Sequence, residues 1–423
     1  MLVMKFYIYT LGCKVNAYES EVMKEKLLAS HYVYEEDSPD IVIINTCSVT
    51  NIADQKSRKM VRQFKKKHPN AVLVVAGCSS FHKQEEYQAM GIDILLGNQK
   101  KSQIVELLEE YFQSHQPYVF FSESRQLPFE DMQIDKFTTH TRAYVKVQDG
   151  CDNFCSYCVI PYVRGSIRSK DFQTVIQEVQ TLVLNGHQEI VLTGIHTGSY
   201  GYGTEHDLTD LIHEISQFEG LKRIRISSIE VTELNDKFLG ELASNPKICN
   251  HMHIPLQAGS DEILKRMNRK YTLEEFGAKL KQIREIRPDI AITTDIIVGF
   301  PGETEELFLK TMATAKEFQF SKIHVFPYSL REGTKAAVMD GHVSNEEKHE
   351  RSKRLTELSK ELERDYAMKF LGKEVDVLIE RNNEGFTSNY LRVRSDQDIS
   401  NNTLVTLEIV DIQNDECVGK VVS

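Results

Sequence analysis

Cysteine is scarce in this chain, with only 8 in 423 residues, and that scarcity excludes a disulfide scaffold. No apolar run approaches the roughly 20 residues of a membrane helix, so a spanning segment is not expected. The opening stretch "MLVMKFYIYTLGC" lacks a signal-peptide pattern: its apolar part is short, is interrupted by Lys5 and reads as a strand. Together these absences predict a cytoplasmic protein whose cysteines serve metal or redox chemistry. At 41% hydrophobic and 27% charged, the composition is that of a globular protein of two or three domains. Positive charge is also in deficit, at a net −11, which argues against a polyanionic partner unless cations are locally concentrated. They are concentrated once. "KSRKMVRQFKKKH" places seven Lys or Arg between Lys56 and Lys67 with no acid among them, Lys56, Arg58, Lys65 and Lys66 included. A solvated helix face and a phosphate-binding face fit that segment equally well.

Three of the scarce cysteines lie within nine residues, in "GCDNFCSYC": Cys151, Cys155 and Cys158. Zinc sites pair their ligands as CxxC or CxxxxC with a second pair further on, and a disulfide has no use for three. The CxxxCxxC spacing fits an iron–sulfur cluster held by three thiolates from one short loop. The fourth iron is then open to a substrate, which points to catalysis.

The first third of the chain repeats one grammar. "KFYIYTLGC", "IVIINTC" and "AVLVVAGC" are β-branched or aromatic runs ending at Cys13, Cys47 and Cys78, and helical stretches at about 18–30 and 53–68 separate them. This βαβαβ order predicts a parallel sheet with right-handed crossovers, with all three cysteines on the edge where ligands gather. Free cysteine is often a core residue, and one at a strand end would be unremarkable. Three at equivalent positions point to a second three-thiolate site.

From residue 143 onward, "AYVKVQ", "EIVLTG", "RIRISS", "HMHIPL", "AITTDIIVGF" and "KIHVFPYS" alternate with amphipathic stretches. Six such units predict an α/β core, an incomplete (β/α)6 barrel with its active site at the strand C-termini and the CxxxCxxC loop at that mouth. Polar or glycine-rich turns converge there, among them Gly194, Glu230, Gln257 and Gly299, and could admit a nucleotide-like ligand. Ordinary turn chemistry explains each of them singly. A polar linker is expected over 114–142. The segment after Ser344 opens with a Ser344–Glu347 capping box and carries a core stripe of Leu355, Leu358, Leu362, Tyr366 and Phe370, stopping at Gly372. The last fifty residues show four strand-like runs, "EVDVLIE", "YLRVR", "LVTLEIVDI" and "CVGKVVS", and read as a small β-barrel. Cys249 and Cys417 read as incidental thiols, the first ahead of a barrel strand and the second in the last turn.

The stretches "TLGCKVNAYES", "NTCSVT", "AGCSS", "GCDNFCSYCVIPYVRG", "HIPLQAGSDEILKRMNRKYT", "TDIIVGFPGETEE" and "PYSLREGT" resemble the radical-SAM methylthiotransferases over the whole chain. Within them the likeness is greatest to the bacterial branch acting on threonylcarbamoyladenosine beside the tRNA anticodon. The resemblance implies three domains: a methylthiotransferase domain at 1–115, a radical-SAM core at 137–370 and a TRAM-like β domain at 371–423. It assigns a radical-generating 4Fe–4S cluster, with S-adenosylmethionine on its open iron, to Cys151, Cys155 and Cys158. Cleavage there would yield a 5′-deoxyadenosyl radical able to attack a hydrogen that no general base could remove. A second 4Fe–4S cluster on Cys13, Cys47 and Cys78 would carry the sulfur. Glu230 is then a candidate for the ribose hydroxyls, with Gly194, Gln257 and Gly299 for the walls of the cofactor pocket. The implied partners are the tRNA anticodon loop, a sulfur donor and an electron donor, and no membrane. The C-terminal segment from Phe370 has 5 Lys or Arg against 10 Asp or Glu, so Lys373, Arg392 and Arg394 are its candidate phosphate contacts, with the Lys56–Lys67 helix sharing the load. The sister branches, acting on isopentenyladenosine or on a ribosomal aspartate, are the alternatives, and a non-catalytic iron–sulfur RNA-binding protein is the last.

Overall fold

The computed structural model describes residues 3–122, 125, 127–138, 140–413 and 416–422. Six parallel strands build the first sheet: β1 (Lys5–Thr10), β2 (Val33–Tyr34), β3 (Ile41–Thr46), β4 (Val72–Gly77), β5 (Ile94–Leu96) and β6 (Tyr118–Phe120), in the order β2-β1-β3-β4-β5-β6. The three expected strands are therefore direct neighbours. β3 is buried at every position, which is why it reads as an unbroken apolar run rather than an alternation. β2, β5 and β6 are two or three residues long, too short to carry a period. The crossover helices are α1 (Lys14–Ala29) and α2 (Asn51–Lys67). β6 carries this sheet to Phe120, past residue 115. The stretch expected as a polar linker is partly core: Met132, Ile134 and Phe137 are buried against the next domain, at spacings that match neither a helix nor a strand.

The middle domain contains β7 (Ala143–Lys146), the short antiparallel pair β8 (Gln148–Asp149) and β9 (Arg168–Ser169), then β10 (Glu189–Thr193), β11 (Arg223–Ile226), β12 (His251–His253), β13 (Ala291–Val298) and β14 (Lys322–Pro327). β11-β10-β7 and β12-β13-β14 are two parallel sheets, joined by a parallel bridge between Ile224 and Ile248. Six parallel strands thus form the incomplete barrel. Ile190, Leu192, Ile224 and Ile226 enter the helix-covered core, while their strand neighbours Glu189, Arg223 and Arg225 occupy the other face, as a period of two requires. The outer edge of β14 is covered by the long helix Asn345–Met368, where the Ser359 hydroxyl lies 2.9 Å from the Ile323 N and 3.0 Å from its O.

That helix begins with the expected capping box, and its stripe divides between two domains. Leu355 and Leu358 join the barrel core; Tyr366 and Phe370 join the core of the C-terminal domain. The latter is a closed barrel of β15 (Glu374–Arg381), β16 (Glu384–Thr387), β17 (Arg392–Ser395), β18 (Leu404–Gln413) and β19 (Glu416–Val421). It has five strands rather than four; β16, "EGFT", was hidden by its glycine and its length. Cys417 lies inside β19 and is buried in this core, not in a turn. Arg223 and Arg225 donate to the carbonyls of Phe386, Asp376, Ser388 and Thr387 at 2.6–3.2 Å, which seats the small barrel at the start of the strands and leaves their C-terminal ends clear.

Candidate functional site

Cys13 caps the N-terminus of α1, Cys47 directly follows β3, and Cys78 directly follows β4 and opens a short helix, Cys78–His82. Thr46 and Gly77 are register partners, so Cys47 and Cys78 leave adjacent strands side by side. Gly12 brings Cys13 to them. Its φ is +101°, and a Cβ built on it would stand 2.7 Å from the Cys47 sulfur, so only glycine fits. Burial pushes the Cys47 thiol up to about 12, with the neighbouring Cys78 adding to it. Burial likewise raises Cys78, against the pull of Arg164.

Arg164 is the centre of a buried charge network. Its Nε donates to Cys78 Sγ at 3.1 Å, its Nη1 to Glu19 and Asp149 at 3.1 Å each, and its Nη2 to Asn16 Oδ1 at 3.0 Å. Lys101 and Lys146 also pair with Glu19, and Lys146 and Arg168 with Asp149. Burial opposes ionisation of Glu19, but the Lys101, Lys146 and Arg164 charges overcome it and hold the carboxyl far below its usual range. Four buried cations therefore face the carboxylates of Glu19 and Asp149, with Glu130, whose carboxyl burial pushes up, near Lys146 and Lys101, and Arg164 also touches a cysteine sulfur. Buried charge needs compensation, and thiolates at this triad would supply it. The residues fit an anionic, thiolate-held group.

Cys151, Cys155 and Cys158 are half-buried in the loop between β8 and β9, at the C-terminal end of the barrel strands. Here too a buried arginine meets a sulfur: Arg269 Nη1 donates to Cys155 Sγ at 3.4 Å, while its Nη2 pairs with Glu230. His196 Nδ1 lies 4.0 Å from Cys151 Sγ, and its Nε2 lies 2.6 Å from Glu233. Burial would lower the His196 pKa, yet the bonds to Cys151 and Glu233 raise it to about 10. Burial pushes Cys158 up to about 12. Three convergent sulfurs with fixed cations around them again fit a thiolate-bound cluster.

The remaining expected residues divide. Glu230 is at this site, with its carboxylate committed to Arg269. Gln257 sits at the barrel mouth in the left-handed region at φ +70°, held by backbone bonds to Asp295 and Ile297. Gly194 lies against Gln148, whose Oε1 would be 2.9 Å from an added Cβ and accepts the His196 N–H. Gly299 faces the Lys348 side chain of the long helix and donates its N–H to Glu303. The close packing at both glycines is against the protein's own atoms. On α2, Lys56, Lys59, Arg62, Lys66 and Lys67 extend into solvent. Arg58 and Lys65 are otherwise engaged: Arg58 pairs with Glu86 at 3.1 Å, and Lys65 binds the Met90 and Gly91 carbonyls. In the small barrel, Lys373 is exposed, Arg392 is tied to Glu384 and Glu416, and Arg394 lies 3.7 Å from Glu416.

A cavity of about 790 Å³ occupies the open side of the barrel, between β11–β14, the long helix and the small barrel. Its lining includes His251, His253, Thr293, His324 and Tyr390, and, from the N-terminal domain, Lys14. Five Lys or Arg line it against two Glu, and both Glu are paired, Glu363 with Lys322 and Glu416 with Arg392 at 2.8 Å each. The volume is that of a small-molecule site and the walls are cationic.

Arg164, Arg269, Lys14 and His196 received no role from the sequence. The first three lie inside the recognised stretches "VIPYVRG", "RMNRKYT" and "GCKVN", but nothing in local spacing says that an arginine will reach a sulfur in another segment.

Residues 145–315 match the Radical SAM superfamily, and residues 5–97 match a family described as uncharacterized protein family UPF0004. The chain is 42% identical to the Bacillus subtilis threonylcarbamoyladenosine tRNA methylthiotransferase MtaB over 91% of its own length and 89% of that protein's. It is 37% identical to the tRNA-2-methylthio-N(6)-dimethylallyladenosine synthase of Thermodesulfovibrio yellowstonii over 99% and 98%. Among solved structures, the radical S-adenosylmethionine methyltransferase TsrM from Kitasatospora setae has the same fold at a TM-score of 0.57 and 14% identity, covering 80% of this chain and 77% of that one.

Proposed function

Because the chain belongs to the radical-SAM tRNA methylthiotransferase family, we propose that it adds a methylthio group to carbon 2 of threonylcarbamoyladenosine beside the tRNA anticodon, using S-adenosylmethionine and two 4Fe–4S clusters. The observation that carries the reading is Arg164. It lies six residues after Cys158 and hydrogen-bonds Cys78, so one short segment ties the two cysteine triads together. Six residues span at most about 20 Å when extended, and the turn Ile160–Val163 shortens this one. Two clusters held that close can act on one base.

Cys151, Cys155 and Cys158 would hold the cluster whose chemistry is radical generation from S-adenosylmethionine, and Cys13, Cys47 and Cys78 would hold the one that carries sulfur. The protein's residues do the rest. Arg269 and His196 fix Cys155 and Cys151 and place positive charge around them; Arg164 does so for Cys78. The cationic cavity suits the threonylcarbamoyl group, which ends in a carboxylate. It suits the apolar dimethylallyl group poorly, since that group offers no partner to Lys14, the half-buried cation of the wall that has none. An anticodon loop presents its adenine unpaired, so the base can be splayed out without melting a helix. Mass-spectrometric nucleoside analysis tests the assignment. Cells lacking the protein are expected to accumulate threonylcarbamoyladenosine and to lose its 2-methylthio form; loss of the methylthio group from dimethylallyladenosine or ribosomal protein instead would overturn it.

The tRNA grip falls to the free cations of α2. Changing Lys56, Lys59, Arg62 and Lys66 to Gln should weaken tRNA binding and lower the log–log salt slope by about one for each phosphate that is no longer neutralised. Arg58→Gln and Lys65→Gln, which disturb bonds inside the protein, should leave that slope close to its original value. An unchanged slope in the fourfold variant would make α2 an ordinary solvated helix.

A further inference from the structure

Lys14 is the first residue of α1 and follows Cys13 directly. A cation at a helix N-terminus opposes the macrodipole, and the first turn of α1 holds no acid to offset it. The side chain is half-buried and has no hydrogen-bond or ion-pair partner among the described residues. It lines the barrel cavity, although it comes from a different domain. Its charge is felt across that space: burial first, and Lys14 among the further causes, keeps His251 and His324 below their ordinary pKa. Tyr390, which burial alone would raise, is lowered by Arg142, Lys14 and Arg225. Of the other cations of the wall, Arg225 is occupied by Glu189 and two carbonyls of the small barrel, Lys322 by Glu363, and Arg392 by Glu384 and Glu416, while Lys360 is solvent-exposed on the long helix. Lys14 therefore has an unfavourable position, an unspent charge and an opening towards the cavity. An anionic ligand accounts for all three.

We propose that Lys14 is the specificity residue that binds the terminal carboxylate of the substrate's N6 side group, and so holds the adenine beside the Cys13, Cys47 and Cys78 site. This rests on threonylcarbamoyladenosine being the substrate. A charge-assisted hydrogen bond is formed only with an anionic side group, so it discriminates against a neutral one of the same shape. Its place next to Cys13 couples recognition to the sulfur site, since the residue that reads the side group is one peptide bond from a candidate ligand.

The test uses two anticodon stem–loop RNAs, one with threonylcarbamoyladenosine and one with its threonine methyl ester, which removes the charge at the expense of one added methyl group. Methylthiolation and RNA binding are measured with the reconstituted holoenzyme, with iron content verified for each variant. The wild-type protein is expected to prefer the free acid at least about tenfold in kcat/KM, mostly through KM, the equivalent of about 1.4 kcal/mol. Lys14→Met should bring that preference to about one, and Lys14→Arg should preserve most of it. A Lys14→Met protein that still prefers the acid, or that loses acid and ester equally, overturns the assignment. Wild-type protein that methylthiolates neither RNA overturns the substrate reading itself, a failure visible before any variant is made.

Discussion

Anaerobically reconstituted protein carrying Cys151→Ala, Cys155→Ala and Cys158→Ala is expected to retain one cluster and to release no 5′-deoxyadenosine above background. The effect should be complete rather than partial because the radical chemistry belongs to the bound cofactor, and the protein's part is to hold and aim it. The substituted side chains are half-buried in a loop whose backbone is held independently, by the Cys151 N–H to the Gly165 carbonyl and the Ser156 N–H to the Met267 carbonyl, so the barrel should still fold. The α2 cations lie in another domain, and tRNA affinity should persist in this variant. Continued release of 5′-deoxyadenosine would show that the radical site had been placed on the wrong triad.

The parts of this architecture that sequence revealed are those that repeat or alternate. β1, β3 and β4 were legible because each is six residues of nearly unbroken apolar chain with a cysteine close behind, and six β/α alternations are hard to mistake for anything but a barrel. The six cysteines could be grouped into two sets of three because of their spacing in one case and their equivalent strand positions in the other. Short elements were lost. β5, β6 and β16 have three or four residues and owe their state to tertiary neighbours rather than to propensity. The packing of Met132, Ile134 and Phe137 was equally hidden, because an extended segment laid over a helix needs no period of its own. The largest omission was the electrostatics. Glu19, Lys101, Lys146, Asp149, Arg164 and Arg168 are scattered across two domains of the chain and meet only in three dimensions. As residue types, each is ordinary on a surface.

The same network shapes the converse experiment, in which Cys13, Cys47 and Cys78 become Ala. That protein is expected to go on cleaving S-adenosylmethionine at the barrel mouth, to bind about half the iron, and to form no methylthio nucleoside. The two functions separate because the triads belong to different domains, and because Arg269 and His196 support the barrel triad without any contribution from residues 13, 47 or 78. The substitutions are not silent for folding. With no thiolate or bound group to face it, the cationic surplus of Lys101, Lys146, Arg164 and Arg168 over Glu19 and Asp149 is left uncompensated in a buried place. The triple variant should therefore unfold at a lower temperature than the parent. Adding Arg164→Met should recover part of that loss by removing one buried charge and its unpaired Nε–H. Cys13→Ala alone provides the control for misfolding: Cys13 is exposed and makes no side-chain capping bond, so its loss should leave the fold intact while still abolishing methylthio transfer. Full product formation by either variant would remove the sulfur-carrying role from this site, whatever cluster it binds.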